Sequence, residues 1–492
     1  MNTASHPPLT RRRFMGQANC ALVSAIPVLN TLLNLRLAGT VAAQGAGTGY
    51  RALVCLFAGG GNDTFNVLSP YSGPSTTAAD SYAEYAASRG VLALTHAQQI
   101  QITPDNTPGR TFGVHHLMPN LASLFAQQKA AFIANVGTLI EPVFNRSQVV
   151  SAAKRLPLGL YSHSDQAEQW QTSVPQSRSG IGWAGRTMDL IKSMNAEQRI
   201  SMNISIDGSN VWQSGVSGAE YAVLPSHPDP LVPAGGAIAL SGYSKTYDAN
   251  SSFVNPTSAA VDGQLALTYQ NLLQQTFLKK KKEALEAYEI YSAATGAALP
   301  GSVTWPNTSL SRQLHQVAKA IMGRNGLGAS RQTFFVGRGG WDHHSDTLLH
   351  QSEMLPEMDA SVGAFYQQLQ ILGVENDVTI FSASDFGRTL TSNGRGSDHA
   401  WGGNAFVIGG SVKGRKIYGQ YPSLAVNPES GAEVNRLDTG RGRLIPTTSC
   451  DAYFAEMALW LGVPRSSLPL VLPNVANFLS TTGATAPVGF LL

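Results

Sequence analysis

Apolar, β-branched runs that stop abruptly at glycine and acid recur along this chain. Residues 50–58 (YRALVCLFA) break into Gly59-Gly60-Gly61-Asn62-Asp63, residues 332–336 (QTFFV) run into Gly337-Arg338-Gly339-Gly340-Trp341-Asp342, and residues 378–384 (VTIFSAS) end in Asp385-Phe386-Gly387. Continuous apolar runs of this length suit strands covered on both faces, as in a parallel sheet, and residues 130–136 (AAFIANV) predict another. Helical patterns lie between and after them at 117–128, 310–322 and 452–461, with a further helix expected through Glu168 and Trp170. The alternation predicts an α/β fold, a mostly parallel sheet flanked by helices. Residues 195–308 read differently. They carry short β-like pieces such as 200–206, many Ser, Gly and Pro turns and one long helical stretch over 265–294. The expected organisation is therefore a core in two parts, 44–194 and 309–492, with an inserted cap at 195–308.

Residues 1–43 are set apart from the fold. Thr10-Arg11-Arg12-Arg13-Phe14-Met15 precedes a moderately apolar stretch that ends near Val41-Ala42-Ala43, the order of a twin-arginine export signal. Export by the twin-arginine translocase to the periplasm or cell exterior is the expectation. Cleavage after Ala43 would leave Cys55 and Cys450, both expected to pack as small apolar groups rather than to bridge. No other apolar run approaches the roughly 20 residues of a bilayer span, so no span is expected in the mature chain. With 43% hydrophobic residues, 13% charged residues and 49 glycines, the 492-residue chain is ordered and loop-rich. Its net charge of +3 gives no reason to expect a nucleic-acid partner, and Lys279-Lys280-Lys281-Lys282 reads as the solvated face of a helix.

The candidate chemistry sits where the apolar runs end, because open α/β sheets place their sites beyond the carboxyl ends of their strands. The triple glycine lacks the Lys-Ser/Thr ending of a nucleotide loop and the dinucleotide spacing; it reads instead as a tight turn that exposes Asp63, either to a cation or as the cap of the next helix. Asp342 and His344, two apart on an extended segment, face one way and would share an ion, which turns His343 elsewhere, toward substrate. Asp385 ends the late strand, and the loop after it returns Asp398 and His399. In Ser162-His163-Ser164-Asp165, Ser162 is a helix cap or, equally, a nucleophile or ligand at a positive helix end.

The order of these motifs resembles an exported bacterial family, domain of unknown function 1501, itself similar to the alkaline phosphatase and sulfatase superfamily. The resemblance spans nearly the whole mature chain and implies an alkaline-phosphatase-like core. Residue by residue it implies metal ligands at Asp63, Asp342, His344, Asp385 and His399, a nucleophile at Ser162, and Arg388 as a bidentate partner of the anion. His163, His343 and Asp398 are assigned to substrate. One or two divalent ions are implied, zinc or manganese before calcium or magnesium, acting on a small or polymeric anionic substrate.

The chain also departs from that pattern. Phe386 follows Asp385 where the superfamily has histidine, Asp342 and His344 are two apart rather than four, and the Cys/Ser-x-Pro-x-Arg sulfatase motif is absent. Two readings follow: an exported metal-dependent hydrolase of a phosphoester, with a sulfoester as second choice, or a catalytically reduced relative that binds an anionic ligand or partner at the cell surface.

Overall fold

A strand buried on both faces needs partners on both edges, and β1 (Arg51–Ala58) has them. The computed structural model describes residues 49–72, 81–229, 231, 235–240, 254–268, 271–480 and 485–491; the expected export signal lies outside them. Strands β2 (Leu68–Ser72), β3 (Gln99–Ile102) and β4 (Thr111–His115) form a small antiparallel sheet. The remaining strands are β5 (Ala130–Gly137), β6 (Asn203–Ser205), β7 (Tyr221–Leu224), β8 (Gly236–Ala237), β9 (Arg331–Gly337), β10 (Val378–Ser384), β11 (Gly403–Gly409), β12 (Ile417–Tyr418) and β13 (Thr448–Ser449). With β1 they make a 10-stranded sheet in the order β12-β5-β11-β10-β1-β9-β6-β7-β8, with β13 paired to β5.

Strand direction decides where the loops go. β1 runs parallel to both β9 and β10, in a register that brings Phe57 level with Gly337 and Ala58 level with Ser384. β11 is antiparallel to β10 and to β5, with Gly403 beside Val136. The ends of β1, β5, β9 and β10 and the beginning of β11 therefore share one edge. The sheet is mixed but mostly parallel, and the α/β class expected from the alternation is the one observed.

The helices used below are α1 (His163–Thr172), α2 (Val254–Ala266), α3 (Leu272–Thr295), α4 (Ser309–Met322), α5 (Thr347–Ile371) and α6 (Cys450–Leu461). In α4 the buried Leu310, Leu314, Val317 and Ile321 recur at helical spacing, and the Thr308 side chain caps the helix by accepting from Ser311 N–H at 3.3 Å. This stripe packs with Leu355, Val362 and Phe365 of α5 against Ala52, Val54 and Leu56 of β1. Alternate residues face the other way, where Phe335 and Phe381 meet Trp212 and Phe381 also meets Trp183 and Tyr453. Both faces are covered, which is why these strands read as continuous apolar runs. Burying each Leu or Val contributes about 1.5–3 kcal/mol.

Two expectations change. Part of residues 195–308, expected as a cap packed over the core, extends the main sheet, because β6 pairs with β9 and its Asn203 accepts from Thr333 Oγ1 at 2.8 Å. The helix expected over 265–294 is two helices. Asn271 accepts from the backbone N–H of Leu273 and Gln274 at 2.8 and 3.3 Å and so starts α3 afresh, a local cap outcompeting continuous helical periodicity. Cys55 and Cys450 are buried and unbridged, as expected.

Candidate metal centre

Glycine lets three turns touch. Gly60 and Gly61 have φ of +119° and +81°, and a Cβ on them would lie 2.7 Å from Asp342 N and 2.5 Å from the Phe386 ring. The turn after β1 is thus pressed onto the turns after β9 and β10. Gly60 N–H donates to Asp385 Oδ2 at 3.1 Å, and Asn62 N–H donates to Ser384 Oγ at 2.9 Å.

At the centre of this edge lies Asp342 Oδ1. Around it stand His344 Nε2 at 3.1 Å, His399 Nε2 at 3.2 Å and His163 Nε2 at 3.4 Å. Each imidazole is held by its other nitrogen. His399 Nδ1 donates to the Tyr161 carbonyl at 2.8 Å, His163 Nδ1 to Asp385 Oδ2 at 2.7 Å, and His344 Nδ1 to Asp398 Oδ1 at 3.0 Å. A carbonyl or carboxylate can only accept, so each Nδ1 carries a proton, and each Nε2 is turned inward toward Asp342.

Asp342 Oδ1 partners only some of these inward nitrogens, lying at hydrogen-bond distance from His399 Nε2 (3.2 Å). His163 Nε2 is buried without a hydrogen-bond partner, and the Nε2 atoms of His344 and His399 face each other at 2.9 Å. Two lone pairs at that distance call for a cation or a proton between them. His163, Asp342 and His399 form a metal-capable group among the described residues. A tetrahedral ion with ligands at about 2.0–2.1 Å spaces its ligand atoms roughly 3.3 Å apart, close to the separations around Asp342. The two imidazoles and one carboxylate of this group, with His344 beside them, could hold a cation.

The charges are set accordingly. Burial pushes the Asp342 carboxyl up, but the hydrogen bond and charge of Arg388, with His344 and His163, outweigh it and bring it down to about 2. Asp398 is likewise about 2, because Asn393, His344 and Arg441 outweigh its desolvation. Burial lowers His399, partly offset by its hydrogen bonds to Tyr161 and Asp342.

Several sequence expectations land elsewhere. Asp63 does not join the cluster: it is paired with Arg89, and the two side chains are only 1% and 0% exposed. Arg89 also donates to the Thr389 and Leu390 carbonyls at 3.0 and 3.3 Å, so the pair ties the β1 turn to the loop after β10. Removing either partner would strand a buried charge, at about 3–5 kcal/mol. Asp385 orients His163 instead of facing the centre, and Asp398 orients His344 instead of facing substrate. Arg388 is buried and already committed. It donates to the carbonyls of Gly60, Gly61, Ser397 and Trp341 and to Asp342 Oδ1 at 2.5 Å, which positions the acid and leaves no fork for an anion. His343 is buried, stacked on His350 with ring centroids 4.9 Å apart, and pushed down to about 4, first by burial and then by that neighbour. Ser162 occupies the N-cap position of α1, yet its side chain makes no cap bond; Oγ lies 3.2 Å from Ser164 Oγ and also interacts with Asp165. Asp342, His344 and His399 meet as the sequence suggests.

His163, assigned to substrate, instead joins the cluster through its place one residue beyond Ser162, at the first turn of a helix that starts at the edge. Tyr161 and Gln166 were missed. Tyr161 has a left-handed backbone, φ +74°, and Gln166, fully buried, accepts from its N–H at 2.6 Å. That strained turn aims the Tyr161 carbonyl at His399. Phe386 packs its ring against His163 and His399 with centroids 4.7 and 4.6 Å apart. The signal available in the sequence was the Gly-Leu-Tyr-Ser-His order, in which a glycine and a helix start bracket the histidine. Arg441 pairs with Asp398 at 2.6 Å while 44% exposed, and Arg443 lies over the Tyr161 ring at 5.2 Å.

A family model described as "Protein of unknown function (DUF1501)" matches residues 50–440. No curated protein matches the sequence. Among solved structures, Ps i-CgsB in complex with k-i-k-neocarrahexaose is 10% identical, with 87% of this chain and 78% of that chain covered and a TM-score of 0.31. The PsFucS1 sulfatase from Pseudoalteromonas sp. is 11% identical, with 88% and 71% covered and a TM-score of 0.29.

Proposed function

The chain belongs to the DUF1501 family, and from that premise we propose that it is a metal-dependent hydrolase of an anionic ester, a phosphoester before a sulfoester. The observation that carries the reading is the convergence of three Nδ1-anchored imidazoles on Asp342 Oδ1. His163, His344, His399 and Asp342 would hold one divalent ion. When bound, such an ion polarises an ester oxygen and lowers the pKa of water.

The chain's own groups then have separate tasks. Asp385, the Tyr161 carbonyl and Asp398 keep the ring protons on Nδ1, so the donor set stays neutral apart from Asp342. Arg388 neutralises Asp342 from behind, Arg441 neutralises Asp398, and Arg443 stands at the rim over Tyr161. Phe386 stands where the superfamily has one histidine ligand of a second metal, so the proposal is for a single ion. In this reading water supplies the attacking oxygen, because Ser162 Oγ is engaged by Ser164 and Asp165. Export by the twin-arginine route belongs to the same proposal.

A second reading has its own support. With Arg388 spent on carbonyls and Phe386 in place of a ligand, the same site would hold an ion and an anionic ligand without turnover. Elemental analysis of the purified chain beside Asp342→Asn, followed by a screen of aryl phosphates and sulfates, separates the two. One tightly held divalent ion, lost in the variant, with metal-dependent ester cleavage is the expected result. An ion without cleavage selects the binding reading, and no ion after exposure to zinc or manganese overturns both.

A further inference from the structure

The tetralysine run and the start of α3 take no part in the site. α3 begins outside the body of the protein: residues 271–277 are all exposed, and its first fully buried side chain is Ala287. A helix that projects in this way ordinarily shows polar groups to water. Here Leu272, Leu273 and Phe277 are 74%, 80% and 66% exposed, and Leu267, just beyond the end of α2, is 52% exposed. Between α2 and α3 runs a groove of about 880 Å³, lined by Val261, Leu265, Leu273, Phe277 and Lys281 among others. Isolated apolar side chains on a surface are ordinary, whereas a cluster at the tip of a hairpin marks a contact.

The position of the lysines identifies the partner. Lys280 follows Leu273 by seven residues, roughly 10 Å along a helix rising 1.5 Å per residue. An interfacial helix buries its apolar part about 5–10 Å into the boundary between lipid headgroups and acyl chains. With Leu273 at that depth, Lys279–Lys282 stand at the level of the phosphates. Lys280 also pairs with Glu283 at 2.9 Å, and the run keeps a net positive charge. We propose that the α2–α3 hairpin docks this protein on an anionic lipid surface, its apolar tip entering the acyl boundary and its lysines meeting the headgroup phosphates. The hairpin does not span: no described helix is long and apolar enough to cross a membrane.

The test is co-sedimentation of the full chain with vesicles of phosphatidylglycerol and phosphatidylethanolamine, beside vesicles of phosphatidylcholine alone. Binding to the anionic vesicles is expected, and it should fall roughly tenfold or more when Lys279, Lys280, Lys281 and Lys282 are all replaced by Gln, or in about 0.5 M salt. Leu273→Glu with Phe277→Glu should remove it to a similar extent, with unchanged circular dichroism showing that both variants fold. Equal binding to phosphatidylcholine, or binding indifferent to both sets of substitutions, overturns the proposal. So does concentration-dependent self-association that the same substitutions abolish in the absence of vesicle binding, since the tip would then be a contact between copies of this chain.

Discussion

At the carboxyl edge of the sheet and at the tip of the α2–α3 hairpin the chain gathers charged side chains under opposite conditions. At the edge, Asp342 is held by Arg388, Asp385 by the Gly60 N–H, and each histidine by an acceptor on its outer nitrogen. These hydrogen bonds fix the groups there even though Asp342 and His344 are each 45% exposed. At the hairpin, lysines and leucines stand on a helix whose first turns are all exposed. The first region would select an ion by the positions of its ligands; the second would respond to a surface through charge and apolar area alone. Changes of a single atom should therefore matter at the edge, and only the overall composition at the tip.

Asp342→Ala would break that comparison most severely. It should reduce bound metal and any ester cleavage to background, as read by plasma mass spectrometry and a chromogenic ester; retained metal would remove Asp342 from the centre. Next comes the frame. Leu314→Ala should cost about 2–5 kcal/mol in denaturant unfolding, whereas Leu273→Ala at the tip should stay within about 0.5 kcal/mol. Equal effects would mean that the hairpin is packed in solution. Third, Asp385→Asn and Gln166→Leu, neither of which touches the centre directly, should weaken metal affinity about 10–100-fold in a competition with a fluorescent chelator. No change would show that anchoring of the outer nitrogens is dispensable.

A smaller effect is expected from pH. Asp451, in the first turn of α6, is pushed up from 3.8 to about 7, mainly by burial. The folded chain thus holds a proton that the unfolded chain has released. The contribution of Asp451 to stability should be fully present below about pH 4, fall by roughly 1 kcal/mol per pH unit, and be lost near pH 7. Asp451→Asn should flatten that slope; an unchanged slope would assign it to other groups.

The strands were legible because β1, β5, β9 and β10 are covered on both faces and so had to be continuously apolar. The meeting of Asp342, His344 and His399 was legible because each follows a strand at one edge. The division of labour was not. Whether a carboxylate faces an ion or holds the histidine that does is decided by a hydrogen bond such as Asp385 to His163, which joins residues 222 positions apart. Asp63 misled for a related reason: its partner Arg89 sits in a helix that carries no motif. The break between α2 and α3 depends on the cap at Asn271, which helical periodicity over 265–294 conceals.

The pairings that bring the edge together are distant in the chain. Gly60 N–H and Asp385 are 325 residues apart, and Tyr161 and His399 are 238 apart. A chain emerging from the ribosome cannot form either bond until most of its length has been made, and such non-local pairings form late and slowly. A nascent segment offers only scattered imidazoles, with no enclosure to tell one ion from another. The time at which an ion can be chosen is therefore set by topology: selection waits for the finished fold, and an ion held at this edge would report that folding is complete.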